Sequence, residues 1–383
     1  MWMKRLLVYA LAVLLVVLLL GLLADVYIMD RPRKSIPDVY IGVDAAFQGV
    51  QNVEALVSEV KSFTNFFVIG SNLITYNMSE LDHLSQYLND SGLYFAPSMH
   101  MNPNSFNQTQ WILQARQTWG SRFWGLFPYD EPGGVQIDRA RSSVENGNIS
   151  LMLVQKADNY TDAAKQFTSN LGSILAPYKF NGVPLMTSDY ALHEFDYRGG
   201  YDVVSAEFGF NLSRPLQVAQ TRGAATIQNK DWGVIITWTY TKPPYLENGA
   251  QLYDDMVYAY QNGAKYILVF DSDPSYTQSV LQQEHFDAMK QFWNYVQAHP
   301  RGETNVRDRV AFVLPADYGY GLRGPNDSIW GLWPSDNLSA NIWSNVTSLA
   351  EQYKSNFDIV YQDNLQSSAL NYSKLVFWNG TVT

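Results

Sequence analysis

Short apolar runs alternate with longer amphipathic stretches along most of the chain. The apolar runs have the length and the aromatic and β-branched content of buried strands. Eight of them occur, at residues 39–44, 66–71, 94–99, 123–131, 183–189, 202–209, 233–240 and 266–273. Between most of them, segments such as "VEALVSEVKSF" and "AQLYDDMVYAYQNGA" repeat apolar residues at helical spacing. Alternating strands and helices predict an α/β fold with a parallel sheet.

The number of strand–helix units predicts how this sheet is arranged. Eight units within residues 38–300 match the usual size of a (β/α)₈ TIM barrel. An open, doubly wound sheet is the alternative, but no glycine-rich phosphate loop follows the first strand. We therefore expect residues 38–300 to form a (β/α)₈ barrel.

A separate pattern begins after residue 300. The strand-like runs "RVAFVLP", "FDIVYQD" and "KLVFWNG" accompany a helix-like segment, "ANIWSNVTSLAEQY". This order predicts a small α/β domain at residues 301–383, similar to half of a flavodoxin-like sheet. A loop with two tryptophans, Trp330 and Trp333, precedes the helix. We expect these tryptophans to pack near the barrel.

The start of the chain is apolar without interruption. Residues 6–24 follow Lys4 and Arg5, and their length suits one transmembrane helix of roughly 20 residues. A cleaved signal peptide is the alternative, but it usually has a shorter apolar core and a clearer cleavage site. We expect an uncleaved signal-anchor at residues 1–29 and a linker at residues 30–37. The lipid bilayer would then be a partner through this helix.

The glycosylation pattern N-x-[ST] is frequent after the apolar run. It occurs at Asn77, Asn89, Asn107, Asn148, Asn159, Asn211, Asn326, Asn337, Asn345, Asn371 and Asn379. This frequency is about three times the chance rate for the composition and indicates a glycosylated surface. We therefore expect a single-pass protein of the cell membrane, with its body on the extracytoplasmic side.

Composition excludes several classes of function. The 383 residues carry a net charge of −10, which argues against a nucleic-acid partner. There is no cysteine, so disulfides and cysteine-based metal sites are excluded. No P-loop, G-x-S-x-G or H-E-x-x-H motif is present, and we expect no cofactor. Asp44, Asp130 and Asp271 offer the carboxylate ligands that a divalent cation prefers, but nothing in their spacing selects such a site.

Acidic residues stand at the carboxyl ends of five of the eight predicted strands. They are Asp44, Asp130 with Glu131, Asp189, Glu207, and Asp271 with Asp273. In a (β/α)₈ barrel these ends surround one mouth, where catalytic residues normally lie. The pattern therefore predicts a pocket with several carboxylates.

Asp130 and Glu131 are adjacent, and adjacent strand residues point to opposite faces. At most one of them is therefore expected to point into the mouth, and we choose Glu131 because the strand ends there. Glycoside hydrolysis needs two carboxyl groups. We expect Glu131 to be the general acid, and Glu207 to carry the negative charge as nucleophile or base. Asp130 would orient a neighbour; in the alternative, Asp130 and Glu131 both serve only the turn.

The remaining candidates would hold a substrate. Trp238 and Tyr240 end the seventh strand and can stack on sugar rings, although they also fit a core stripe. His100 follows the third strand and can bond a sugar hydroxyl, although a lone histidine is more often structural. The predicted substrate-binding residues are Asp44, His100, Asp189, Trp238, Tyr240 and Asp271, with Asp189 and Asp271 as rival partners for Glu131.

These residues carry a resemblance to a known kind of protein. With Asp130-Glu131, Glu207 and "ITWTY", the sequence resembles a glycoside-hydrolase-type (β/α)₈ barrel. The stretch "YGYGLRGPNDSIWGLWPSDN" resembles one that follows such barrels in membrane-anchored archaeal surface proteins. The resemblance covers most of residues 38–383 and implies a carbohydrate substrate. It departs from the largest retaining clan, which has Asn-Glu where this chain has Asp130-Glu131, and a glutamate near "TWTY".

Two hypotheses of function remain open. The first is an anchored, extracytoplasmic glycoside hydrolase-like protein that acts on glycans through the carboxylates at the barrel mouth. The second is a non-catalytic subunit that binds glycans or supports a surface or membrane-protein complex, with a membrane protein as its partner. Acids and aromatic residues around a mouth fit both. The distance between the carboxylates and the depth of the pocket are the features that distinguish them.

Overall fold

The computed structural model describes residues 38–100, 106–145, 152–179, 182–302, 306–365 and 372–383. The predicted signal-anchor and linker lie outside these ranges, as do Asn148 and Asn371. Within them, no helix combines the length and the apolar character needed to cross a membrane. Residues Val39–Thr383 form one compact unit. The predicted domain boundary at residue 300 stays a prediction.

The main sheet contains seven parallel strands in the order β3-β2-β1-β7-β6-β5-β4. The strands are β1 (Tyr40–Ala45), β2 (Phe66–Ile69), β3 (Tyr94–Pro97), β4 (Met186–Asp189), β5 (Val203–Phe208), β6 (Asp231–Ile236) and β7 (Tyr266–Asp271). Every neighbouring pair is parallel. The predicted α/β class with a parallel sheet is therefore confirmed.

The segment 123–127 connects the two edge strands of this sheet. The Phe127 N–H donates to the Pro97 carbonyl on β3 at 3.0 Å, and the Leu126 N–H donates to the Pro184 carbonyl near β4 at 3.0 Å. The sheet is therefore curled, because one short segment reaches both of its edges. The predicted fourth strand is wrong in length: it is reduced to isolated bridges here, and the acidic end of the run is loop.

Eleven helices accompany the strands in the described part of the chain. They are α1 (Val50–Val60), α2 (Asn72–Thr75), α3 (Met78–Asp90), α4 (Gln108–Trp119), α5 (Pro132–Glu145), α6 (Tyr160–Lys179), α7 (His193–Gly199), α8 (Arg214–Gln228), α9 (Gly249–Gln261), α10 (Gln283–Ala298) and α11 (Asn337–Tyr353). Their apolar stripes pack on the sheet; α1, for example, buries Val53, Leu56, Val57 and Val60.

The strands separate two apolar layers because their side chains alternate between faces. On β2, Phe67 and Ile69 belong to the large cluster that includes the buried helix stripes. Phe66 and Val68 belong to a second cluster with residues of β1, β3, β6 and β7. In this cluster the rings of Tyr40 and Tyr266, at the amino ends of β1 and β7, stack at 4.8 Å. Aromatic packing thus fills that end, and polar groups collect at the carboxyl ends.

A second parallel sheet has the order β10-β8-β9. Its strands are β8 (Val310–Leu314), β9 (Phe357–Tyr361) and β10 (Lys374–Phe377). Helix α8 packs closely on β9: a Cβ atom at Gly223 would lie 2.2 Å from the Ile359 carbonyl oxygen, so only glycine fits there. The second sheet is thereby fixed to a helix of the main sheet.

A buried ion cluster joins α8 to the second sheet. Asp358 on β9 is fully buried. Its carboxylate accepts hydrogen bonds from Arg222 at 2.7 Å, from Arg309 at 2.8 Å and from the Tyr372 hydroxyl at 3.0 Å. We call these four residues the Asp358 cluster. Both oxygens of the carboxylate are bonded, so the charge on Asp358 is compensated.

The tryptophan loop between β8 and α11 packs on helices of the main sheet. Trp330 is fully buried, and its ring lies 4.6 Å from Phe195 on α7 and 5.6 Å from Phe167 on α6. Trp333 is half-buried and meets Tyr160 edge-on at 5.0 Å. The loop is therefore held against α6 and α7, in agreement with the expectation for its tryptophans.

Candidate functional site

A cavity of about 360 Å³ opens at the carboxyl ends of β4, β5, β6 and β7. Its lining includes four carboxylates, of which Asp138 is paired with Arg323 at the rim. The other three, Asp130, Glu131 and Glu207, we call the mouth carboxylates. The lining also includes five aromatic side chains, which are Tyr190, Phe210, Trp238, Phe270 and Tyr276. We call this space the mouth cavity. Its size and mixed lining are typical of a small-molecule site.

Asp130 and Glu131 both line this cavity, contrary to the expectation that only one would do so. Glu131 has a backbone φ of +50°, in the left-handed region that bulky residues rarely occupy. Its N–H donates to the Ser188 carbonyl at 3.1 Å, which holds this turn against β4. Because the chain turns here instead of continuing as a strand, both carboxylates reach the same cavity.

The three mouth carboxylates are linked by hydrogen bonds. The Ser188 Oγ lies 2.8 Å from Asp130 Oδ1 and 3.0 Å from Glu207 Oε1. The side chain of Glu207 also makes a hydrogen bond with Glu131. A hydroxyl carries one proton, and two carboxylates cannot bond to each other unless one is protonated. The network is therefore complete only when the cluster holds at least one proton.

Burial and the repulsion between the carboxylates favour this proton, because both raise the pKa of a carboxyl group. Glu207 is 5% exposed; burial, followed by the charges of Glu131 and Asp130, raises its pKa well above the usual range. Asp130 is exposed as a residue where it lines the cavity, and its Oδ1 accepts a partly buried hydrogen bond from Ser188. Burial and the charge of Glu131 raise the pKa of Asp130, and the hydrogen bond from Ser188 acts in the opposite direction. A raised pKa favours the protonated form of Glu207, whereas the sequence prediction gave Glu207 the negative charge.

Asp189 is bound by the main chain rather than open to the cavity. It is fully buried, and its carboxylate accepts N–H bonds from Gly133 at 2.6 Å and from Gly134 at 2.8 Å. It also accepts N–H bonds from Tyr190 and Ala191. These bonds satisfy the free donors in the first turn of α5. Asp189 lines neither the mouth cavity nor the second cavity described below. Its role in this structure is therefore to hold the backbone around it.

Asp271 has the same kind of environment. Its carboxylate accepts bonds from the Ser279 hydroxyl at 2.8 Å, the Val280 N–H at 2.7 Å and the Leu281 N–H at 3.2 Å. It is fully buried and lines neither cavity. Asp271 therefore holds the loop after β7. The sequence had suggested it as a substrate ligand.

A second cavity, of about 370 Å³, adjoins the first. It shares Asp130, Phe270 and Tyr276 with the mouth cavity. His100 lines it, and burial lowers the pKa of the imidazole, which is therefore neutral at pH 7. We call this space the side cavity. Of the predicted substrate-binding residues, His100 is thus placed here.

The other predicted substrate ligands have different positions. Trp238 lines the mouth cavity, and its Nε1–H donates to the Ser272 carbonyl at 2.7 Å. Tyr240 is 45% exposed and lines neither cavity. Asp44 is buried, and one of its oxygens has no polar partner in the described residues. Burial, with the charges of Asp130 and then Asp271, raises the pKa of Asp44 well above the usual range, which favours the neutral acid.

The rim contains residues that the sequence did not single out. Arg323, from the tryptophan loop, lines the mouth cavity and donates to Asp138 on α5 at 2.7 Å. It also binds both oxygens of Asp327. The Tyr190 hydroxyl donates to Asp138 at 2.8 Å. Arg323 is the one basic residue in "YGYGLRGPNDSIWGLWPSDN". This isolated charge is the sequence feature that could have indicated a role for Arg323. The C-terminal part of the chain thus contributes to the rim.

Two further predictions concern metal binding and glycosylation. In the described ranges, no group of three or more His, Asp or Glu side chains is arranged to hold a metal ion. Nine of the predicted glycosylation sites are described; Asn89 is half-buried. The exposed ones are Asn77, Asn107, Asn159, Asn211, Asn326, Asn337, Asn345 and Asn379. Their exposure is compatible with glycosylation, which stays a prediction.

Comparison with known proteins shows a likeness of fold only. No family model matches the chain, and no curated protein matches it. Among solved structures, the β-galactosidase from the haloarchaeon Halorubrum lacusprofundi matches with 11% identity and a TM-score of 0.52, over 88% of this chain and 69% of that one. The β-1,4-D-mannanase from Cryptopygus antarcticus matches with 12% identity and a TM-score of 0.42, over 66% and 90% of the two chains. The endo-1,4-β-mannanase from Eisenia fetida matches with 10% identity and a TM-score of 0.39, over 69% and 92%.

These findings define the class of the protein. It has an α/β fold with a curled parallel sheet, similar to the fold of glycoside hydrolases. At this identity the likeness says nothing about the reaction. The predicted resemblance to membrane-anchored archaeal surface proteins stays a prediction.

Proposed function

We propose that the chain is a glycoside hydrolase-like protein that acts on glycans through Glu207 and Glu131. The observation that carries this proposal is the hydrogen-bonded group of mouth carboxylates, in which Glu207 is buried and has a raised pKa. Carboxyl groups with different proton affinities at one pocket are what glycoside hydrolysis requires. In this proposal the segment 123–127 is the fourth strand of a distorted (β/α)₈ barrel.

The roles follow from the positions of the protons. Glu207, protonated at neutral pH, gives its proton to the oxygen of the leaving group while the glycosidic bond breaks. Glu131, as a carboxylate, attacks the anomeric carbon and forms a glycosyl ester. Water then cleaves this ester, and Glu207 takes the proton of that water. Asp130, linked to Glu207 through Ser188, keeps the Glu207 carboxyl oriented.

The contact between Glu131 and Glu207 favours retention of configuration. Directly hydrogen-bonded carboxyl groups are too close for the inverting arrangement, which separates the groups by about 6.5–9.5 Å to admit a water molecule. Retaining enzymes need only about 5–5.5 Å, which a small side-chain rotation on substrate binding provides.

The lining of the mouth cavity favours an uncharged sugar. The mouth carboxylates repel anionic groups, and the guanidinium of Arg323 is already bound to Asp138 and Asp327. Sugar hydroxyls can donate to the carboxylates, and the apolar face of a sugar ring can stack on Trp238. We therefore propose neutral hexose glycans as the substrate class.

The place of action is also part of the proposal. An apolar anchor at residues 6–24 would attach the protein to the cell membrane. Glycosylation of the exposed asparagines would require the body to lie on the outer side of that membrane. Protease added to intact cells after deglycosylation should then digest the body and leave the anchor. Complete protection of the body would contradict this topology.

The reaction is tested with two variants that keep side-chain shape. Glu207→Gln should lower kcat on β-1,4-linked hexose oligomers by about 10²–10⁴-fold, because the acid is lost. The same variant should lose much less kcat on a dinitrophenyl glycoside, because that leaving group needs no proton. Glu131→Gln should lose activity on both substrates. Glu54→Gln, on α1 and outside both cavities, is the control and should retain full activity.

The same contact supports a second candidate function. Because Glu131 lies within hydrogen-bonding reach of Glu207, hydrolysis would require the two side chains to separate when a glycosidic bond enters between them. A non-catalytic protein that binds glycans, or supports a membrane-protein complex, would need no such movement. Binding of a hexose oligomer without release of reducing ends, unchanged in both glutamine variants, would favour this function over hydrolysis.

A further inference from the structure

The mouth cavity and the side cavity have a common wall. Asp130, Phe270 and Tyr276 line both of them. The two volumes, about 360 Å³ and 370 Å³, are nearly equal, and each lies within the usual range for a small-ligand site. A ligand that passes Asp130 would therefore occupy space on both sides of this residue, with Glu131 and Glu207 on the side of the mouth cavity.

The two cavities differ in chemistry. The mouth cavity combines carboxylates with aromatic and aliphatic side chains such as Phe210, Leu212 and Trp238, which suit the apolar face of a sugar ring. The polar side chains of the side cavity are mostly uncharged, among them Gln48, Ser71, Asn72, Ser98 and His100. They suit the hydroxyl groups of a neighbouring unit. A chain of sugars can extend into both environments.

Tyr276 stands where the cavities meet, and the loop holds it there at a cost in backbone strain. Its φ of +56° is in the left-handed region, and its side chain is 49% exposed. Asp273 accepts N–H bonds from Thr277 at 2.6 Å and from Gln278 at 3.2 Å. Together with the bonds to Asp271, these contacts fix both sides of the Tyr276 turn. An exposed ring held in a strained turn indicates a contact surface.

We propose that the two cavities form one cleft for an extended saccharide of at least two units, and that Tyr276 guides this chain across Asp130. This inference rests on the proposed glycan ligand and adds the length of the ligand and the residue that selects it. Asp271 and Asp273 then act as positioning residues, since they hold the turn that presents the Tyr276 ring. The bond to be cleaved would lie beside Asp130, with sugars on both sides.

The test is calorimetric binding of β-1,4-linked glucose, mannose and galactose oligomers, from the monosaccharide to the tetrasaccharide. Glu131→Gln serves as the background, so that no oligomer is consumed. Affinity should rise by about tenfold or more from the monosaccharide to the trisaccharide for at least one sugar. Tyr276→Ala should remove most of this rise. Tyr276→Phe, which keeps the ring, should preserve it.

Tyr240→Ala is the matched control. Tyr240 is an equally exposed tyrosine, it follows the neighbouring strand β6, and it lines neither cavity. Its removal should leave the dependence on length unchanged. Equal effects of the Tyr240 and Tyr276 variants, affinity independent of length, or no binding of any oligomer would each overturn the proposal.

The outcome is separable from that of the proposed reaction. Length-dependent binding without hydrolysis by the native protein would support the cleft and contradict the hydrolase. Hydrolysis with no effect of length or of Tyr276 would support the hydrolase and contradict the cleft.

Discussion

Two groups of buried ionisable side chains in this protein differ in whether opposite charges compensate them. In the Asp358 cluster, one fully buried carboxylate accepts bonds from Arg222, Arg309 and Tyr372. At the mouth, the groups that act most strongly on buried Glu207 are other carboxylates, Glu131 and Asp130. The first group joins α8 to the second sheet; the second lines an open cavity. Asp358 and Glu207 are both buried, but only Asp358 is paired with positively charged groups.

This difference separates structure from function. A buried charge that is fully paired stabilises the arrangement around it and has no proton to give. A carboxylate among other carboxylates costs stability when it ionises, but it holds a proton at neutral pH that a substrate can receive. Clusters of the second kind are therefore the better candidates for active sites.

Removal of the charge at Asp358 should have the largest effect on stability. Asp358→Asn leaves two buried guanidinium groups without their counter-charge and should cost about 3–5 kcal/mol in the free energy of unfolding. Urea denaturation measures this loss. Asp308→Asn, an exposed change just before β8, should stay within about 0.5 kcal/mol of the native protein. A loss for Asp358→Asn as small as that of the control would show that the cluster is not compensated as described.

Ser188→Ala should affect the mouth more than the fold. The hydrogen bond from Ser188 lowers the pKa of Asp130, so its loss should raise that pKa further. The limb of the pH–rate profile that reports the mouth carboxylates should move to higher pH. Turnover should fall by about tenfold, equivalent to about 1.4 kcal/mol in the activation free energy. Ser169→Ala on the exposed side of α6 is the control, and an unshifted profile for Ser188→Ala would contradict the bridging role.

Tyr372→Phe should have the smallest effect. It removes one of the hydrogen bonds to Asp358 and leaves both arginines in place, so it should cost about 1 kcal/mol in the free energy of unfolding. The same denaturation experiment measures it. A cost as large as that of Asp358→Asn would mean that the hydroxyl, rather than the ion pairs, holds the second sheet.

Much of the fold could be predicted from the sequence. Strands β1 to β7 lie within or close to the apolar runs, because burial on both faces leaves a clear pattern. The position of Glu207 at the end of β5, beside the cavity, was also predictable. The fourth run failed at its acidic end because the turn at Glu131 depends on contacts with β4, which no local pattern records.

The roles of the other acids could not be predicted for a related reason. Asp189 and Asp271 end their strands just as Glu207 does, but loop N–H groups surround them. The sequence does not show where those donors point. Tyr276 was missed in the same way, since only the folded loop brings it beside Asp130. Position in a strand thus predicts which acids reach the mouth region, and the surrounding donors decide which of them stay free to react.

The central claim is that Glu207 holds a proton at neutral pH at a cost to stability. Its pKa is raised in the folded protein, so the native state is unpenalised below the unfolded pKa of about 4.3 and loses stability as pH rises above it. Glutamine at this position does not ionise. The direct measurement is the free energy of unfolding of the native protein and of Glu207→Gln from about pH 4 to about pH 8. We predict that the difference shifts steadily in favour of Glu207→Gln as pH rises. A difference that is constant with pH, or that shifts in favour of the native protein, would contradict the account.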